Sequence, residues 1–173
     1  MNKLYQALRY GTIKHYTSRG VTSVHELVYS AQGIRAWQQL KDEGNLPLRL
    51  RLYLTHPYFN YNEFRKTGLR SGFGDEWLSL GGFKLFTQGD GCDGNLIPAI
   101  DSKYTQEELD KLVYDMHSDG QHIWMHTVTK EGYNQGLLTY KRALDKLPKH
   151  DHRLRGNKDG YHYGCLGWFR RKN

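Results

Sequence analysis

The chain has 173 residues, 38% of them hydrophobic and 25% charged, with a net charge of +7. That is enough for one domain with a real core, too little for a closed eight-stranded α/β barrel of roughly 250 residues, and not the composition of a disordered chain. Two cysteines, Cys92 and Cys165, make no disulfide framework and point to a reducing, cytoplasmic compartment; no run approaches the roughly 18 apolar residues of a membrane span, and no apolar leader follows Met1.

Lys3 to Tyr16 reads as a helix, with Leu4, Ala7, Leu8 and Gly11 on one face and Gly20 beyond its end. Val21 to His25 is β-branched and strand-like. A second helix spans about Ser30 to Asp42, directing Ile34, Trp37 and Leu40 to a core. Leu48 to Leu54 alternates strictly, Leu-Arg-Leu-Arg-Leu-Tyr-Leu, which marks a strand whose arginines face water or a wet barrel interior. His56-Pro57 breaks it, and Tyr58 to Gly74 reads as loop with one short helix. Leu80-Gly81-Gly82-Phe83-Lys84-Leu85-Phe86 follows as a buried strand bounded by glycine. Gln88 to Asn95 is a glycine-rich acidic loop; Asp90, Asp93 and Asn95 resemble a calcium loop only faintly, because the closing Glu is missing.

Thr105-Gln106-Glu107-Glu108 is a capping box that opens a helix carrying Leu109, Leu112, Val113 and Met116 on one face, with Gly120 as its stop. Gln121 to Val128 reads as a strand. Tyr133 to Leu147 reads as a helix with Leu137, Tyr140, Leu144 and Leu147 on one face, ended by Pro148. Strands alternating with helices imply a parallel sheet with right-handed crossovers.

Three residues stand near strand ends, where ligands of α/β folds bind: His25, Lys84 and His126. Alone, a strand His is more often a hydrogen-bonded structural residue, and a strand Lys more often carries its amine to water. Lys84 is the exception to weigh, because an ammonium inside an apolar strand costs several kcal/mol unless neutralised or paired. His150 and His152 stand two apart in a polar turn and read as solvated. No nucleophile elbow, Walker loop, C-x-x-C or H-E-x-x-H is present.

The segments Ser18–His25, Lys41–Arg49, Gly81–Phe86 and Tyr104–Leu109, the block around His126, and Asp151-His152-Arg153-Leu154-Arg155 together resemble the amidohydrolase superfamily in its amidohydrolase 3-type branch, in family order and over about residues 3 to 155. The resemblance implies a partial TIM-type (β/α) barrel of four to five βα units, not closed, running from the second strand to the start of the sixth. It implies a parent hydrolase of non-peptide carbon–nitrogen bonds in small amide-like substrates. Its divalent metals, zinc above all, are held by a His-x-His pair, a carboxylated lysine, two single histidines and an aspartate. By position Lys84 resembles the carboxylated lysine and His126 the fifth-strand ligand, while His25 is a pocket candidate. A lysine carbamate has two oxygens, able to bridge metals about 3.5–4 Å apart.

The departures are specific. No His-x-His precedes the match. Gly156-Asn157-Lys158 stands where the family has Ile-Glu-His, Thr87-Gln88-Gly89 where it has Ala-Asp-Gly, and Thr127-Val128-Thr129-Lys130 where it has Ala-Ile-Gly-Asp. With two of about six ligands left, the expectation is a fragment inactive on its own, with two open sheet edges for self-association or for a barrel-completing partner.

Residues 156–173 read as a basic irregular tail of shifted-frame or unspliced origin. Arg153 to Asn173 holds a net +5 of the chain's +7, and Tyr161, Tyr163, Trp168 and Phe169 interleave with its basic residues. Such a tail could stack on single-stranded nucleic acid; a charge run is more often a solvated face.

Overall fold

The computed structural model describes residues 3–87, 104–127 and 129–147, and the backbone of 155–158. Helix α1 (Lys3–His15) is followed by β1 (Ser23–Val28), α2 (Ala31–Asp42), β2 (Arg49–Thr55), α3 (Tyr61–Phe64), β3 (Leu78–Phe86), α4 (Gln106–Ser118), β4 (Ile123–Thr127), α5 (Lys130–Lys146) and β5 (Arg155–Lys158). The described strands form one parallel sheet in the order β1-β2-β3-β4-β5. Each strand is laid beside its predecessor and the order never reverses. A doubly wound sheet would reverse, so this is the winding of a (β/α) barrel. With β1 and β5 both at edges the barrel is open: an α/β fold of partial TIM type.

Strand periodicity divides the sheet into two faces. Leu50, Leu52 and Leu54 of β2 pair in register with Leu78, Leu80 and Phe83 of β3, and the last meets Ile123 of β4. This face lies under the helices and holds the core with Trp37, Leu40, Leu109, Val113 and Met116. The other face carries His25, Arg51, Tyr53, Thr55, Lys84, Phe86, Trp124 and His126, as the same registers require. The arginines of β2, Arg49 and Arg51, are exposed and face water, as a half-exposed sheet leads one to expect.

Local signals set most boundaries. Ser30 caps α2 by accepting from Gly33 N, and both halves of the Thr105–Glu108 capping box form. On the helix side, Tyr61 donates to Asp119 at 2.7 Å, and Arg65, just after α3, bridges to the same carboxylate at 3.0 Å, tying α3 to the end of α4.

Three expectations change. First, β1 starts two residues late and runs to Val28, which puts His25 in mid-strand. Second, α5 starts at Lys130 under a Thr129 cap, and its buried face is Gly132, Gly136, Thr139 and Ala143; Leu137 is exposed. The reason is close approach: a Cβ on Gly136 would lie 2.7 Å from Met125 Sδ, so small residues face the sheet there and Leu137 and Leu138 turn outward, while Tyr140 packs against the core as expected. Third, the pattern does not stop at Gly156. Gly156, Asn157 and Lys158 pair with Met125, His126 and Thr127, because a ladder needs only backbone donors and acceptors. The acidic loop at 90–95, His150, His152, both cysteines and the aromatic tail residues lie outside the described residues. No helix among the described residues is long and apolar enough to cross a membrane.

Glu26 is anomalous on the helix side of β1. Burial raises its carboxyl pKa above the ordinary 4.5, and no compensating interaction lowers it. A raised folded pKa penalises the folded state at every pH above it. Glu26→Gln is therefore expected to raise the melting temperature at pH 7. The gain should fade as pH falls through the raised value and vanish below 4.5; melting curves from pH 4 to 8 check it.

Candidate metal site

Lys84 is the seventh of nine residues in β3 and is 1% exposed. In register it faces Thr55 on β2 and Trp124 on β4. Its Nζ lies 4.8 Å from the centre of the Trp124 ring and 5.2 Å from that of Phe86. Aromatic faces partly compensate a desolvated cation, by about 2 kcal/mol. Two residues further along, Phe86 faces His126, and their rings are 5.1 Å apart. Lys84 and His126 thus share the inner face on neighbouring strands, close to the carboxyl ends, with Phe86 between them.

The double glycine makes this geometry, from inside β3 rather than at its boundary. The register slips between Leu52 and Tyr53, a bulge that sets Tyr53 opposite Gly82. A Cβ on Gly81 would lie 2.4 Å from Tyr53 Cε2. The missing side chain lets the Tyr53 ring reach across β3 to Trp124 on β4, at 5.6 Å and 84°. His25 packs on both rings, at 5.4 Å from Tyr53 and 6.4 Å from Trp124. The pocket candidate His25 is therefore not beside Lys84. It pairs with Arg51, four residues below Thr55, or roughly 13 Å down the strand, and Trp124 lies between them.

Residues that sequence reasoning missed lie at the end of β2. Thr55 is fully buried, and among the described residues its Oγ1 has no hydrogen-bond partner; in register it stands opposite Lys84. Buried hydroxyls are nearly always satisfied, which makes this one a candidate contact for a further polar group. His56 donates its backbone N–H to Lys84 O at 3.0 Å, and its Nδ1 shares a hydrogen bond with the Tyr104 hydroxyl. Burial lowers its pKa below the usual imidazole value. The available signal was a threonine and a histidine closing a period-two strand, where only the proline was weighed.

Zinc is usually held by three or four protein ligands. Among the described residues no three His, Cys, Asp or Glu side chains come together. Lys84 and His126 share the inner face on adjacent strands, with Thr55 opposite Lys84 in register, and among the described residues they are joined by no further candidate ligand.

A model of the amidohydrolase family matches residues 5–161. A search of curated proteins found no match. Among solved structures, the chain is similar to an uncharacterized metal-dependent hydrolase from Pyrococcus horikoshii OT3, with a TM-score of 0.63 and 22% identity over 80% of this chain and 30% of the other. It is also similar to one from Pyrococcus furiosus, with a TM-score of 0.66 and 18% identity over 88% and 32%. At these identities the likeness speaks for the barrel winding, and the chain spans about a third of the length of both.

Proposed function

The chain belongs to the amidohydrolase family, and from that premise we propose that it is a portion of a metal-dependent hydrolase acting on non-peptide carbon–nitrogen bonds of small amide-like substrates. The observation that carries the reading is Lys84: a lysine 1% exposed, near the carboxyl end of a parallel strand, one strand from His126. An ordinary strand lysine would lead its amine to water. Here the amine packs against the Trp124 and Phe86 rings, away from bulk water, an environment that favours its neutral form, the form that carbon dioxide converts to a carbamate. Lys84, as a carbamate, and His126 would hold a divalent metal, with zinc the first choice. When bound, the metal would polarise the substrate carbonyl and activate water. Thr55, opposite Lys84 in register, would offer its hydroxyl as an acceptor or donor for that group.

Two donors do not hold zinc firmly, so further ligands come from polypeptide beyond these residues, and the isolated chain is inactive. Purified chain is expected to keep well under one equivalent of zinc after dialysis and to hydrolyse amide substrates no faster than buffer. Stoichiometric zinc with robust metal-dependent hydrolysis would overturn the inactivity; zinc undiminished by loss of the Lys84 amine would overturn the assignment of Lys84.

A second reading, that the sheet edges recruit a barrel-completing partner or a second copy, is favoured by where apolar side chains are exposed. Of nine exposed large apolar side chains among the described residues, Tyr10, Ile13 and Tyr16 lie on or just beyond α1 and Leu137 and Leu138 on α5; the other four, Tyr29, Tyr58, Phe73 and Trp77, lie on connections between elements. These helices flank the sheet in sequence, before β1 and before β5, the two edge strands. Light scattering after size exclusion is expected to give a dimer or larger; a strictly monomeric chain at about 100 μM rejects this reading.

A further inference from the structure

On the helix side of the sheet, away from Lys84 and His126, α1 and α2 border a half-open cavity of about 160 Å³ against β1 and β2. Leu8, Val24, Trp37 and Leu50 give it an apolar wall, and Glu26 is the one carboxylate lining it. We propose that this cavity is a binding site for a small organic cation with an apolar body, whose charge is met by Glu26.

Three observations carry it. The volume is that of an apolar cavity that takes up a benzene-sized molecule. Glu26 makes no hydrogen bond or ion pair with any described residue, so its carboxylate is held at an apolar wall without a counter-charge, a state that a bound cation relieves. Of the other two polar side chains lining it, Thr12 already spends its hydroxyl on Leu8 O within α1, and Tyr16 is 43% exposed. Finally, Gly11 lines the cavity from the middle of α1. Glycine is unfavourable inside a helix, and nothing here demands it: its φ lies outside the left-handed region, and no atom lies within 4 Å of where its Cβ would be. What its missing side chain does is keep the cavity open.

The test uses the whole chain, with benzylammonium as the cation and benzyl alcohol as its neutral isostere, titrated by calorimetry and NMR at about pH 8. Benzylammonium should saturate one site and bind about tenfold or more tighter than benzyl alcohol. Glu26→Gln should erase that preference while leaving benzyl alcohol binding unchanged, and Gly11→Leu, which fills the volume, should abolish both. Failure of benzylammonium to saturate by about 10 mM overturns the proposal. So does equal binding of the two ligands by the native chain, or undiminished benzylammonium binding by Glu26→Gln. Should Gly11→Leu fail to fold, the Glu26→Gln comparison decides by itself. No outcome bears on the metal site, which occupies the opposite face.

Discussion

Gly82→Ala is expected to lower the melting temperature by roughly 8–16 °C. The residue has φ +140°, and a Cβ there would lie 2.0 Å from His122 O and 2.8 Å from its carbonyl carbon. Holding a non-glycine residue in such backbone costs about 1–3 kcal/mol. The clash adds to that, because the atom in the way is the carbonyl that accepts from Phe83 N at 2.8 Å, in the ladder joining β3 to β4. Losing that bond costs about 1 kcal/mol more, and leaving the carbonyl buried and unpaired costs up to as much as the strain. A total of about 4 kcal/mol converts to the stated shift for a chain of this size.

The comparison that gives the number meaning is Gly20→Ala. Gly20 also has positive φ, +79°, but its Cβ would meet nothing within 4 Å. It should cost about 1 kcal/mol, the bare price of left-handed backbone. Thermal melts of both variants decide: if Gly82→Ala melts no lower than Gly20→Ala, the contact between β3 and β4 is not what glycine serves here. The effect matters beyond stability, since the same ladder sets Trp124 over Lys84.

What could be read from the sequence follows from which interactions are local. The alternation of β2 sorted its residues onto two faces, and the Thr105–Glu108 box placed the start of α4, because strand period and helix caps involve only near neighbours in the chain. Lys84 stood out for the same reason: a charge inside an apolar run is visible without a structure. The role of Gly81-Gly82 was not visible, because it depends on the Tyr53 ring from one neighbouring strand and the His122 carbonyl from the other. The buried face of α5 was misread for a similar reason. Leucines at helical spacing indicate a core, but Gly136 against Met125 shows the helix sitting too close to the sheet for them. Thr55 and His56 were passed over as a strand terminus, and only their pairing with Lys84 across the sheet gives them meaning. At β5 the side-chain pattern had lapsed while backbone pairing continued.

Lys84→Met is expected to raise the melting temperature by about 4–8 °C while removing whatever zinc the chain retains. Methionine matches the length of the lysine stem and adapts to irregular apolar space, so it fills the volume between the Trp124 and Phe86 rings without forcing either to move. The change replaces a desolvated amine, 1% exposed, by an apolar group. Replacing a buried ion pair with well-packed hydrophobic groups is often neutral or stabilising by about 1–4 kcal/mol, whereas removing one partner of such a pair costs about 3–5 kcal/mol, so the sign of the shift reports whether the Lys84 amine serves the fold. A gain of about 2 kcal/mol gives the stated shift at this chain length. Stability gained together with metal lost is what a functional lysine predicts: the native residue burdens the fold and is retained for its chemistry. A lysine kept for structure predicts the reverse, and a Tm lowered by several degrees in Lys84→Met would identify its amine as a strut between β3 and β4. Melting curves in the presence of a chelator isolate the fold, and elemental analysis of undialysed protein isolates the metal. Should stability rise with no zinc in either form, Lys84 would still be costly to the fold, but its assignment as a metal ligand in this chain would fall.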